Sequence, residues 1–310
     1  MQFHRLLSVF SCVALSLVPA WAGPPRIMTD IAPVQSLVAQ VTGTLGAPDV
    51  LLGPGASPHG FALRPSQARA LQQADIVIWI GPELTPWLTD PLATLSPSAQ
   101  RLALLQAPGT RQLTFDDDHA HAHDDDDHGH DHAQAHGDTD PHAWLDPGNG
   151  IAWLAAIAEA LAEADPGNAA LYRENAARAA HDLAALDQRL ADQLAAVHDR
   201  PFVTAHDGYG YFETRYDLTN AGAVRSGDAT DPGPASVADL RATLRDHGVR
   251  CAFGEPQNSN RLLTMLAGDA DVTVALLDPL GSGLEPGPAL YARLLENLAE
   301  TVAACLGAGG

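Results

Sequence analysis

Lysine is missing from all 310 residues, so the 17 basic side chains are all arginine. That absence excludes P-loop nucleotide chemistry, Schiff-base chemistry and a lysine general base in one step. Aromatic residues are scarce at 5%, cysteine is limited to three, and 38 acidic residues outnumber the basic ones, for a formal net charge of −21. A field of that sign repels nucleic acid and anionic membrane, which removes both as partners. Beyond residue 22, no stretch reaches the roughly 18 apolar residues a membrane span needs. Histidine, by contrast, is plentiful at 14 residues. Imidazole beside so many carboxylates directs attention to metal cations. Hydrophobic residues at 46% and charged residues at 18% leave enough apolar chain for a sizeable core. The length suits two ordinary domains.

The compartment follows from the first residues. His4 and Arg5 precede an apolar run from Leu6 to Val18, and Ala20-Trp21-Ala22 fits a small-x-small cleavage site. Residues 1–22 read as a secretory signal peptide, with the mature chain starting near Gly23 and exported as a soluble product. Cys12 leaves with it, so Cys251 and Cys305 remain. In an oxidising compartment two cysteines most simply pair. Their loop of about 55 residues would contribute roughly 4 kcal/mol on the chain-entropy model. The competing use, a soft metal site built from both thiols, would want a C-x-x-C spacing that the chain does not have.

Past Pro25, short apolar runs alternate with helix-like segments, as in βαβ units with a mainly parallel sheet. Strands are expected at Arg26–Ala32, Val50–Leu52, Ile76–Ile80 and Arg101–Leu105, and again at Phe202–Ala205, Val249–Phe253 and Val272–Leu277. Helices are expected at Val34–Val41, Ser66–Gln73, Val237–Asp246, Arg261–Leu266 and Ala289–Leu306, with another from Ile151. Between the two α/β lobes, Leu183, Leu186, Leu190, Leu194 and Val197 recur at helical spacing, with no proline or glycine from Asn168 to Val197. Thirty helical residues would span about 45 Å and form a rigid strut. The expected organisation is an N-terminal lobe over 23–165, a linking helix over 166–200 and a C-terminal lobe over 201–310.

One segment of the first lobe differs from everything around it. Residues 116–140 read DDDHAHAHDDDDHGHDHAQAHGDTD, with seven histidines and ten aspartates in 25 residues. So little apolar content cannot offset the entropy of ordering, and a mobile loop is expected. Its histidines, His119, His121, His123, His128, His130, His132 and His136, make it an auxiliary metal-binding tract. The blander reading is a solvated acidic linker.

Outside the tract, His181, His198 and His247 fall on helices or near their ends, where surface roles are the default. Three other groups sit where parallel sheets bind ligands, beyond the carboxyl ends of strands. His206 ends one strand, His59 follows another through Gly53-Pro54-Gly55, and Asp278 directly follows a third. His142, ahead of a helix, can reach the same cleft. Three imidazoles and one carboxylate suit a tetrahedral Zn²⁺ site. Asp278 is the weakest member, because a carboxylate there also caps the following turn.

These residues stand in a recognisable order. Gly55-Ala56-Ser57-Pro58-His59 with Leu63-Arg64-Pro65-Ser66, then Asp140-Pro141-His142-Ala143-Trp144-Leu145, then His206-Asp207-Gly208-Tyr209-Gly210-Tyr211-Phe212, are followed by Gly254-Glu255-Pro256-Gln257 and Leu277-Asp278-Pro279-Leu280-Gly281. With the charged tract between the first two, the chain resembles the ZnuA-type zinc-binding components of ABC transporters, in the cluster A-I solute-binding proteins. The resemblance implies two lobes joined by one rigid helix and a metal cleft between them. It also implies a monomeric periplasmic protein that hands zinc to a membrane permease with a cytoplasmic ATPase. It assigns His59, His142 and His206 as ligands. Histidine at position 206, where manganese-type relatives carry glutamate, points to zinc. Pro58 stands where some zinc members carry a glutamate, so Asp278 or a water must complete the shell. The resemblance also implies the Cys251–Cys305 pair.

Two other functions fit parts of this pattern. Three histidines with an exchangeable fourth position also describe a catalytic zinc, with Glu255 as the imaginable base, but no H-E-x-x-H helix supplies one. A periplasmic metal buffer without a transporter would need the same ligands. No enzymatic activity is expected.

Overall fold

The computed structural model describes residues 23–115, 139–225 and 234–308. The expected signal peptide and all seven tract histidines lie outside the described residues.

Two four-stranded parallel sheets organise the chain. In the first lobe β1 (Ile27–Thr29), β2 (Asp49–Val50), β3 (Ile76–Trp79) and β4 (Gln100–Ala103) stand in the order β2-β1-β3-β4. In the second, β5 (Phe202–His206), β6 (Asn220–Arg225), β7 (Cys251–Gly254) and β8 (Thr273–Leu276) repeat that order as β6-β5-β7-β8. The helices of the first lobe are α1 (Ala32–Thr42), α2 (Pro65–Gln73), α3 (Thr89–Leu95) and α4 (Pro147–Ala164), after which comes α5 (Ala169–Leu194). The second lobe adds α6 (Gly210–Tyr216), α7 (Pro234–Asp246), α8 (Arg261–Ala270) and α9 (Leu290–Gly307).

Period-two alternation puts both faces of each sheet in apolar surroundings, as parallel sheets require. Ile27, Ile76 and Ile78 face the central core, while Met28, Val77 and Trp79 face an outer one. Phe202, Cys251 and Phe253 face the same central core from the other lobe, with Val203, Ala205 and Ala252 turned outward. The central core is continuous. It runs from the first sheet through Leu183, Leu186, Leu190 and Leu194 of α5 to Leu294, Leu298 and Val302 of α9.

The linking helix is shorter than its apolar repeat suggests, 26 residues or about 39 Å. Pro201 disfavours helical geometry at Arg200, and residues 195–199 form turns in which Val197 still packs into the core. Helix α4 begins at Pro147, earlier than Ile151, because Asp146 accepts from the Gly148 amide at 2.7 Å and proline sits at the first helical position. Helices α3 and α6 and strand β6 are additions to the expected elements. The Cys251–Cys305 disulfide is present and joins β7 to α9.

At the carboxyl ends of the first sheet, Asp30 is fully buried and ties β1 to β3. It accepts from the amides of Ile31 at 2.8 Å and Ile80 at 2.9 Å. Burial pushes its carboxyl up to about 7, against the pull of those two donors.

Candidate metal centre

The site lies between the lobes, and each of its three histidines is delivered by a different device. His206 is the last residue of β5, which pairs with β6 on one side and β7 on the other. The strand order reverses there, and such a switch point opens a crevice beyond the strand ends. His142 precedes a single 3₁₀ turn, Ala143–Leu145, that leads into α4. His59 sits in the loop between β2 and α2, where the Trp87 indole donates to the carbonyl of Pro58 at 2.7 Å.

The segment carrying His142 belongs to the first lobe but is held by the second. Tyr211 of α6 donates to the Asp140 carbonyl at 3.0 Å and accepts from the Leu113 amide at 2.8 Å. The Trp144 indole donates to the Pro279 carbonyl at 2.7 Å, and Tyr291 of α9 donates to the Trp144 carbonyl at 2.6 Å. Each of these polar groups is buried and satisfied, so the crossing is well defined.

The result is a compact triad. One ligand atom from each of His59, His142 and His206 lies within 4.8 Å of the others, a group that could hold a metal ion. The ring centroids are 5.3 Å apart for His59 and His142, 5.5 Å for His59 and His206, and 4.9 Å for His142 and His206. His142 and His206 are buried and His59 is half-buried. A cavity of about 20 Å³ touches all three, with Glu255, Gln257 and Trp144 in its wall. That is room for one water-sized body.

Behind two of the rings stand carboxylates. Asp140 Oδ1 meets Nδ1 of His142 at 2.7 Å, and Glu255 Oε1 meets Nδ1 of His206 at 3.3 Å. Partners on Nδ1 direct Nε2 toward the cavity and make each imidazole a better ligand. Burial alone would push the Glu255 carboxyl up. Its hydrogen bond to and attraction by His206, with the hydrogen bonds from Tyr209 at 2.9 Å and from Asn258, outweigh burial and hold it below the usual range.

Asp278 does not join the triad. Its Oδ1 accepts from Gln257 Nε2 at 2.6 Å, from the Leu280 amide at 3.3 Å and from Ser282 at 3.4 Å. Its Oδ2 accepts from the Gly283 amide at 3.3 Å. The carboxylate caps the turn after β8, while the carboxylates in contact with the triad are those of Asp140 and Glu255. Glu255 carried a signal in the sequence, as the first residue past a strand, but β7 reads as a strand neighbouring β5 only once the sheet order is known. Asp140 was legible as part of Asp-Pro-His. Trp87 had no local signal.

The comparisons with known proteins bear on this geometry. Residues 27–305 match the family described as the periplasmic zinc-uptake complex component A, ZnuA. The chain belongs to that family. The high-affinity zinc uptake system protein ZnuA of Paracoccus denitrificans is 45% identical over 319 residues, covering 97% of this chain and 98% of that protein. Its namesake in Brucella abortus is 36% identical over 304 residues, covering 90% and 91%. Among solved structures, a ZnuA crystal structure overlays with a TM-score of 0.77 at 24% identity, over 91% of this chain and 99% of the other. The periplasmic zinc-binding protein TroA of Treponema pallidum gives 0.76 at 20% identity, over 92% and 99%. Two parallel-sheet lobes joined by a long helix are the architecture of these ZnuA and TroA relatives. Among the described residues, no helix is long and apolar enough to cross a membrane.

Proposed function

We propose that this chain captures Zn²⁺ with high affinity in the periplasm and delivers it to an ABC permease driven by a cytoplasmic ATPase. The observation that carries the reading is the triad, three imidazoles drawn from both lobes onto one water-sized cavity. His59, His142 and His206 are the ligands. Neutral nitrogen donors at that spacing suit a borderline-soft ion in a four-coordinate shell, and a hard cation would want more oxygen. The Paracoccus and Brucella relatives, both zinc uptake system proteins, agree with zinc as the cargo.

Capture follows from the parts. The carboxylates of Asp140 and Glu255 orient two rings and raise their basicity before the ion arrives. Ligation needs neutral imidazoles, so zinc binding releases protons and affinity falls as the medium becomes more acidic. A hydrolytic reading would need Glu255 as a base, but its oxygens are engaged by His206, Tyr209 and Asn258, and it serves as a support. The His/Asp tract, which ends two residues before His142, acts as an accessory that raises zinc near the cleft or reports its excess.

Replacing His206 with alanine tests the reading. Zinc affinity, measured by competition with a chromophoric chelator, is expected to drop by at least about 100-fold, since even outer partners of a metal ligand carry about 10–100-fold. Unaltered affinity would remove His206, and with it the cleft, as the receptor.

A further inference from the structure

We propose that Trp87 is a positioning residue for His59: by holding the loop on both sides of that histidine, it sets how fast bound zinc is released. The inference rests on the reading above, in which the three histidines hold the ion, and concerns the one that a loop carries between β2 and α2.

The three ligands are not held alike. His206 ends a strand that is paired on both sides. His142 lies in a segment that Tyr211, Trp144 and Tyr291 fasten across the lobes. Both rings are buried, and each meets a carboxylate. His59 is half-buried, and residues 56–64 around it form no helix or strand. At the start of this loop Gly55 has φ 76°, a conformation that other residues rarely adopt, and the Ala56 amide donates to the Gly53 carbonyl at 3.1 Å. That turn is complete before the histidine is reached. Pro58 has no amide hydrogen, so its backbone can be tied down only through the carbonyl.

Trp87 ties it from rigid ground. Strand β3 is paired with β1 on one side and β4 on the other. Past its carboxyl end the Thr85 amide donates to the Gly81 carbonyl at 3.2 Å, and the Leu88 amide closes the 3₁₀ turn Pro86–Leu88 on the Thr85 carbonyl at 2.9 Å. Thr85 and Leu88 are fully buried, which fixes the turn that carries Trp87. Its side chain then makes two contacts with the loop. The indole N–H donates to the Pro58 carbonyl at 2.7 Å, one residue before His59. The ring centroid lies 5.2 Å from that of Phe61, two residues after it, with the planes 49° apart, a favourable aromatic pairing. One side chain thus brackets the ligand. Without the bracket His59 would spend part of its time away from the cavity, and apparent affinity falls with the fraction in place. His142 and His206 keep their own supports, so the first contact with zinc is unaffected and the difference falls on release.

Stopped-flow release of zinc from the loaded mature chain into an excess of a chromophoric chelator tests the assignment. Trp87→Phe keeps an aromatic ring beside Phe61 and removes the indole N–H. It is expected to release zinc about 5- to 10-fold faster, the lower end of the cost of leaving a carbonyl without its donor, while the association rate stays within about twofold. A double-mutant cycle with His59→Ala separates positioning from general support. In that background the bracketed ligand is gone, and Trp87→Phe is expected to change release by less than about twofold. Unchanged release in Trp87→Phe alone overturns the proposal. Acceleration that persists in full beside His59→Ala also overturns it, and would make Trp87 a support of the lobe as a whole. Where Trp87→Phe loses the native circular dichroism spectrum, Phe61→Leu carries the same cycle, since it leaves the indole in place and loosens the other contact. Release about threefold faster, vanishing beside His59→Ala, is then expected, and any other pattern overturns the proposal. Unaltered zinc affinity in His206→Ala would instead bring down the cleft reading itself, so the two failures are distinguishable.

Discussion

A single methyl group at position 208 would collide with two of the three imidazoles. A Cβ built on Gly208 falls 2.7 Å from Cε1 of His206 and 3.1 Å from Cε1 of His142. Glycine there is a matter of space, since the backbone dihedral is ordinary, and it lets the loop after β5 pass directly over the site. Overpacking of this kind costs about 1–3 kcal/mol, which taken from the bound state is roughly 10- to 100-fold in affinity. Gly208→Ala is therefore expected to weaken zinc binding by that factor while the melting temperature changes little; wild-type affinity would mean that the rings move aside freely. His59 and His206, two of the three histidines that the structure brings together, were legible at this scale because strand ends are where parallel sheets place functional groups. Asp278 sits at such an end too, yet its hydrogen bonds go to Gln257 and the following turn. Position at a strand end says where a carboxylate starts and nothing about which donors surround it. Glu255 is the reverse case, since the hydrogen bonds that surround it come from Tyr209 and Asn258, brought close only by folding.

Among the elements, those with their own apolar pattern could be read in advance. The buried stripe of α9, from Leu290 and Tyr291 through Leu298 to Leu306, follows helical spacing throughout. Strand β6, with the sequence NAGAVR, has no such pattern. Its glycine and alanines are poor strand formers, and pairing with β5 makes it a strand. Helix α6 was hidden in the same way, behind the glycines and aromatics of the loop that carries His206. The disulfide acts at this scale, since it fastens a central strand to the last helix over a separation of 54 residues. Replacing both cysteines with serine should lower unfolding free energy by about 2–5 kcal/mol in urea titration. Zinc affinity should stay within a few-fold, because neither sulfur touches the triad. A loss confined to zinc affinity, with stability intact, would contradict this division of labour.

At the scale of the whole molecule, the two lobes are less separate than their repeated topology suggests. One apolar core passes from the first sheet through α5 and α9 into the second. Tyr211, Trp144 and Tyr291 stitch the lobes together beside the site. A short linker would permit wide hinge opening; a 26-residue helix embedded in a shared core resists it. Two lobes and a strut were legible from alternating strands and helices and from the leucine repeat. The shared core was not, because contacts between segments some 250 residues apart, such as Ser36 with Tyr291, leave no local pattern.

In the proposed function the cleft, and not the His/Asp tract, is the high-affinity receptor. Calorimetric zinc titration of the mature protein lacking residues 116–138, with metal content checked by mass spectrometry, tests it most directly. One tight equivalent, bound with proton release, is expected. Absence of tight binding would make the tract the receptor and contradict the assignment of His59, His142 and His206.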